Sequence, residues 1–365
     1  MTGTFPATAS PGIAAISVHR EHTVDRQLID NIVFDDVFEA MRRLDKSNPI
    51  LNLKDKAQGY LKRNLRFNLM ELPDGTIGAF PANMMLRFYR GENQDFDSRY
   101  RCVPKIYRIN KPEEKDLVEN RNDDYILIDN LKMTEFELVT KEFPQVKYAI
   151  EDYCNVDYKA LAQHYDLNTD LLDMSSDIAV AAFFATHTYD CKNGYQVKTD
   201  GIGCLRVYIQ NFINSKSELA IFRLIGLQPF QRPGLQCAFA LRMNKDEDFS
   251  RLSGKALFMQ NAKWNRKLHE AFCAHGRNIL FPLEDIDDAA MLIKSSNHVS
   301  EIAIRKFCKE NDFTEEYIER VLSKHKIQIS ERLTYSLSRQ QRRRLEREFK
   351  GRPYGDVELR SRIAF

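Results

Sequence analysis

The chain has 365 residues, 43% hydrophobic and 29% charged, with a formal net charge of +2. That length holds two or three domains or one large core with additions, and the balance excludes disordered, collagen-like and membrane-embedded classes. No run approaches about 18 consecutive apolar residues, and Met1 to Ile16 lacks the basic region and apolar core of a secretory signal.

The charge is unevenly spread. Residues 296–365 carry 16 Lys and Arg against 11 Asp and Glu, an excess too mild to mark a nucleic-acid-binding segment. Seven cysteines (102, 154, 191, 204, 237, 273 and 308) are odd in number, and no two are spaced C-x-x-C. This argues against a disulfide framework and against a zinc ribbon. The expectation is a cytoplasmic protein with reduced thiols, no membrane span and no metal.

In chain order, residues 1–22 read as a loose, turn-rich arm and 23–79 as a helical N-terminal segment. Asp35 to Leu44 begins with acids and ends with bases, which suits a helix dipole. Lys54 to Leu69 is expected as a second helix, and Thr76 to Phe80 as a short strand after a Pro-Asp-Gly turn. Met84 to Tyr89 is an apolar run that reads as a buried strand, with Gly91 as its abrupt end. Arg90 would then stand at the mouth of a sheet, where its rigid fork of donors can grip a phosphate or carboxylate. Leu127 to Glu142 and Tyr158 to Tyr165 are helical in pattern. Ser175 or Ser176 is the expected N-cap of an all-apolar helix from Ile178 to Ala185, which should be buried.

Gly203 to Ile209 and Cys237 to Leu241 read as strands. Lys192-Asn193-Gly194 signals a turn. Asn261 to His275 reads as a helix closed by Gly276, and Ile279 to Pro282 as a short extended piece. From Glu284 onward the pattern is helical, with Thr314 and Ser338 as caps. Arg342-Arg343-Arg344 falls on a helix whose apolar seam is Leu345 and Phe349, most simply a solvated face. The fold class expected is α/β (α+β): a small mixed β-sheet core at 80–295 wrapped by helices, with helical N- and C-terminal extensions, the latter at 296–365.

Three segments read together are more specific than any alone. They are Phe88-Tyr89-Arg90-Gly91-Glu92 followed by Pro104 to Arg108; Gln163-His164-Tyr165 with Leu171-Leu172-Asp173 ahead of the apolar helix; and Arg232…Gln236…Phe239 with Leu280-Phe281-Pro282. In order and spacing they resemble the FRG domain, a family named for its aromatic-Arg-Gly motif, over roughly residues 80–295. The chain departs from the family pattern where Asp166 replaces a glycine, Asn168 a proline, Asp170 an arginine and Met174 a tryptophan.

The chemistry these residues offer is that of a phosphate-and-sugar site. Arg90 is a bidentate anion clamp. His164 and Tyr165 can move a proton. Asp173 and Ser175 flank a helix start that favours an anion. Arg232 and Gln236 can orient a sugar or an amide. Structural roles compete at each position: a hydrogen-bonded histidine, a loop-to-helix aspartate, a serine cap. The resemblance extends, at low resolution, to the layout of ADP-ribosyltransferases. That analogy implies NAD as cofactor, with Arg90 on its phosphates, Ser175 on its nicotinamide ribose and Gln236 in the late-strand region. His164, Asp173 and Gln236 are the candidate catalytic residues, and Arg90, Tyr165, Ser175 and Arg232 the candidate ligand-binding ones. No Glu stands two residues after Gln236, where Ala238 does. The functional expectation is an anion- or nucleotide-binding FRG protein, with an NAD-dependent transferase of bacterial toxin or phage-defence type as its catalytic form. The alternatives are a non-catalytic nucleotide or anion sensor, and an interaction scaffold whose residues 296–365 dock a protein partner.

Overall fold

The computed structural model describes residues 32–45, 67–72, 74–81, 87–96, 101–108, 122–190, 194–209 and 222–350. The expected arm at 1–22, the portion of the expected second helix before Phe67, residues 84–86 of the expected strand, and Lys192 and Asn193 of the expected turn lie outside them.

Strand β1 (Val33–Phe34) leads into helix α1 (Val37–Leu44), whose N-cap Asp36 accepts from the Phe38 and Glu39 amides. Next come β2 (Phe67–Glu71) and β3 (Ile77–Pro81), an antiparallel pair, and β4 (Arg87–Glu92). Residues 67–69 are therefore strand, where a helix was expected. Helices α2 (Asp123–Lys141), α3 (Pro144–Glu151) and α4 (Tyr158–His164) precede β5 (Leu171–Ser175) and α5 (Ile178–Thr186). The hairpin β6 (His187–Asp190) and β7 (Gly194–Val197) brackets the expected turn. Then follow β8 (Ile202–Ile209), β9 (Phe222–Leu224), α6 (Gln231–Leu235), β10 (Ala238–Arg242), β11 (Gly254–Met259) and α7 (Ala262–Ala271). A small hairpin, β12 (Cys273–Ala274) and β13 (Arg277–Asn278), leads to α8 (Asp285–Ser295), β14 (His298–Ser300), α9 (Glu301–Asn311), α10 (Glu315–Lys324), β15 (Gln328–Ser330) and α11 (Arg339–Phe349).

The central sheet has seven strands in the order β1-β11-β8-β4-β5-β10-β9, parallel between β1 and β11 and otherwise antiparallel. It is a mixed sheet within an α/β architecture, as expected. Strand alternation gives each face its own core. Tyr89, Leu205, Val207 and Phe258 face α1, α5 and α7. Phe88, Met174, Phe222 and Phe239 belong to an apolar cluster on the other face, with Phe88 4.5 Å from Phe222 and 4.7 Å from Phe239, ring to ring.

Helix α5 is buried along almost its whole length, as its all-apolar sequence requires. Its N-cap, however, is Asp177, whose carboxylate accepts from the Ala179 amide. Ser175 is claimed by the sheet, in register with both Tyr89 and Ala238, so the helix opens two residues later.

Three further local readings change. Strand β4 does not stop at Gly91 but runs through it to Glu92. A Cβ at Gly91 would lie 1.8 Å from the Ala181 carbonyl oxygen, so the glycine serves the close approach of α5 to the sheet. Helix α7 ends at Ala271, ahead of the expected His275, because His275 and Gly276 both take positive φ (49° and 75°) as the two-residue turn of the β12–β13 hairpin. Ile279 to Pro282 is turn and coil, with no extended segment.

Residues 296–350 pack back onto α2. Val299, Ile304, Phe307 and Leu322 share a core with Leu127, Ile128 and Leu131. Glu135, 1% exposed, accepts from the Ser300 amide (2.9 Å) and hydroxyl (2.6 Å) and from the Thr334 amide (2.7 Å).

Candidate functional site

Beside the middle strands of the sheet, β4, the end of α4, β5, the first turns of α5 and the Lys105–Arg108 segment enclose a cavity of ≈ 210 Å³. Arg90, His164, Asp173, Ser175 and Gln236 all line it. These residues are far apart in sequence: the antiparallel β4–β5–β10 ladder brings together Arg90, Asp173 and Ser175, Gln236 stands just ahead of β10, and the end of α4 adds His164.

Arg90 is held from two sides. Its Nη1 donates to the Asp173 carbonyl at 3.0 Å, and its Nε lies 3.5 Å from Glu92 Oε1. Glu92 is itself buried, accepting from Arg206 Nε at 2.8 Å and from the Cys102 thiol at 2.9 Å. Burial pushes the Glu92 carboxyl up, but Arg90 and Arg206 outweigh it and hold it below its ordinary value. Burial likewise opposes the charge on Arg90, and Cys102, Glu92 and Asp173 more than restore it. Arg90 is therefore a fixed, permanently charged group.

Two further cations line the cavity. Lys105 ion-pairs with Asp166. Asp166 stands where the family pattern has glycine, and its φ of 69° gives the reason: the position is left-handed, which aspartate tolerates better than most residues. Arg108 donates from Nε to the Val103 carbonyl at 2.9 Å, and among the described residues no carboxylate forms an ion pair with it. Protein atoms around its guanidinium and the neighbouring Arg90 charge press its pKa below the usual arginine value. An anion between the two guanidinium groups would relieve that repulsion.

The opposite wall is a chain of fixed amides. Gln236 Nε2 donates to the Leu280 carbonyl at 3.0 Å, which turns its Oε1 toward His164 Nδ1, also 3.0 Å away. The acceptor at Nδ1 assigns the proton to that nitrogen and leaves a lone pair on Nε2. Burial depresses the His164 pKa, Arg232 adds to the effect, and Asp173 opposes it only in part, so the ring is neutral at pH 7. His164 Nε2 is buried with no hydrogen-bond partner among the described residues, and so is Asp173 Oδ1. Asp173 Oδ2 accepts from Gln163 Nε2 at 2.9 Å, and Gln163 Oε1 accepts from the Thr169 hydroxyl at 2.6 Å. Leaving a buried acceptor without a donor costs about 1–3 kcal/mol.

The remaining sequence candidates sit differently. Ser175 lines the cavity, but its hydroxyl donates to the Gln236 carbonyl (2.7 Å) and accepts from the Asp177 amide (3.0 Å). Tyr165 and Arg232 stand behind His164 and do not line the cavity. The Arg232 guanidinium lies 4.3 Å from the Tyr165 ring, donates to the His164 carbonyl at 2.9 Å and pairs with Asp287. The Tyr165 hydroxyl donates to Glu284. Asp170, the charge reversal relative to the family pattern, is likewise outside the cavity and pairs with Lys159 (2.9 Å) and Arg242 (3.1 Å). Lys105, Arg108 and Gln163 are lining residues that sequence reasoning quoted within motifs without assigning them a role.

Residues 86–194 match the family model of the FRG domain. The chain carries an FRG domain. The match includes Arg90, His164, Asp173 and Ser175, and it ends before Gln236, so the FRG segment supplies most of the cavity and later strands complete it. No curated protein and no solved structure matches the chain. Among the described residues there is no cluster of metal-ligating side chains, and no helix is long and apolar enough to cross a membrane.

Proposed function

We propose that the FRG cavity binds an anionic ligand, the phosphate portion of a nucleotide, gripped by Arg90 and Arg108 with Lys105 at its edge. The observation that carries this reading is the juxtaposition of two guanidinium groups in one cavity, one of them without a carboxylate partner among the described residues. Arg90 is prepositioned by Asp173 and Glu92, so little ordering cost falls on binding. The cavity is smaller than the roughly 300–1,000 Å³ of sites that enclose a whole drug-sized ligand, so it takes one part of a nucleotide and leaves the rest outside.

A thermal-shift titration tests the reading. ADP or NAD at millimolar concentration should raise the melting temperature of the full chain, and Arg90→Ala should abolish the rise. No shift with any phosphate-bearing ligand would remove the reading.

A second reading, NAD-dependent ADP-ribosyl transfer, is favoured by Asp173. A carboxylate in the cavity could stabilise the positive charge of an oxocarbenium-like transition state, a role the late strand leaves empty at Ala238. It requires NAD consumption by the wild-type chain and its loss in Asp173→Asn. Binding without consumption leaves the sensor reading. The toxin or phage-defence setting rests on the family resemblance alone and would be tested by cell growth on induction, with and without phage challenge.

A further inference from the structure

We propose that the ligand part held in this cavity is a phosphorylated sugar, whose hydroxyl groups donate to His164 Nε2 and Asp173 Oδ1. The inference rests on the anion-binding reading above and narrows it to a ligand class.

The cavity asks for two kinds of group. Arg90 and Arg108 call for acceptors that carry negative charge. His164 Nε2 and Asp173 Oδ1 call for donors, because both are buried acceptors with no partner among the described residues. Neither can be relieved by a simple side-chain flip. If the Gln236 amide turned over, its NH₂ would face His164 and its oxygen would oppose the Leu280 carbonyl. If the Gln163 amide turned over, it would lose both the Thr169 hydroxyl and the bond to Asp173 Oδ2. The two orphan acceptors are therefore built into the site. Inorganic phosphate satisfies the cations, but near pH 7 it has only one or two protons to donate, and its remaining anionic oxygens repel the Asp173 carboxylate. A neutral sugar offers the hydroxyl donors and leaves the guanidinium groups unmet. A sugar phosphate supplies both in one small molecule, and the ≈ 210 Å³ enclosed is on that scale and not on the scale of a dinucleotide.

The experiment is a calorimetric titration of the full chain with ribose 5-phosphate, inorganic phosphate and ribose. Ribose 5-phosphate should bind at least about tenfold tighter than phosphate, the worth of one well-made net hydrogen bond, and ribose should not bind measurably. Asp173→Asn sharpens the test. Gln163 Nε2 claims the new amide oxygen, so an NH₂ replaces the unpartnered carboxylate oxygen. The sugar-phosphate advantage should then collapse while phosphate binds as well as before or better. Equal affinity of the wild-type chain for phosphate and ribose 5-phosphate would overturn the proposal and leave the anion site standing. Binding of neither would overturn both. The wild-type comparison decides the matter even if the variant fails to fold.

Discussion

At the scale of single residues, Arg90 and Gly91 do different jobs although they are adjacent. Strand alternation puts Arg90 on the face shared with Glu92 and Arg206, and Gly91 on the face that meets α5. Gly91→Ala should therefore cost stability, about 1–3 kcal/mol or more as for other overpacked sites, read as a lower midpoint in urea unfolding. An unchanged midpoint would mean that α5 can move away from the sheet. Residue type, order and the family resemblance single out Arg90, His164, Asp173, Ser175 and Gln236 as candidates, and one cavity collects all five. What stayed hidden was the division of labour. The hydroxyl of Ser175 is consumed by the Gln236 carbonyl and the Asp177 amide, and Arg232 by the His164 carbonyl, Asp287 and the Tyr165 ring. These are long-range partners, which local pattern does not encode. Arg108 escaped because a short 3₁₀ turn has no hydrophobic period to announce which way its side chains face.

At the scale of elements, helix α5 is the piece that fixes the site. It packs on β4 through Gly91 and starts directly after the strand that carries Asp173 and Ser175. Its cap was expected at Ser175 or Ser176 because serine is a common cap type; the sheet register of Ser175 passes the role to Asp177. Asp177→Ala should cost about 1 kcal/mol, whereas Asp177→Asn, which keeps an acceptor, should cost much less. Chemical denaturation of both variants checks this.

The junction of α6 and α8 predicts a pH response. Burial pushes the Glu284 carboxyl up to about 7 from 4.5, with hydrogen bonds from Tyr165 and the Gln231 amide opposing the shift in part. The folded state thus holds a proton that the unfolded chain releases between these values. The associated stability is fully present below about pH 4.5 and is lost as pH rises through about 7. Glu284→Gln should flatten that part of the curve, so the gap in melting temperature between the variant and the wild type should differ at pH 5 and pH 7.5. An identical gap at the two pH values would place the Glu284 carboxyl at its ordinary value.

At the scale of the whole molecule, residues 296–350 are tied into the body. Its helices were legible from their caps and periodicity, with Thr314 and Ser338 capping α10 and α11 as expected. Their docking was not legible, because the apolar face of α2 could equally have turned toward the sheet. It turns instead to α9 and α10, and the Glu135 carboxylate accepts from Ser300 and Thr334 across that boundary. Deleting residues 296–365 should expose Leu127, Ile128 and Leu131, deprive Glu135 of its partners, and yield a chain that aggregates or melts well below the undeleted chain. A soluble truncation with an unchanged melting temperature would show that the segment is a detachable appendage.

The cavity sets Arg108, which has no carboxylate partner among the described residues, beside the fixed guanidinium of Arg90. Arg108 tests that claim more cleanly than Arg90, because its only hydrogen bond among the described residues is to the Val103 carbonyl and its removal leaves the Arg90–Glu92–Arg206 cluster intact. The decisive measurement is a calorimetric titration of ADP into the wild-type chain and into Arg108→Ala. Loss of one charge-assisted contact should weaken binding by about 10- to 100-fold, with the melting temperature of the free protein unchanged. Equal affinity in the two proteins, or no binding to either, would contradict the account.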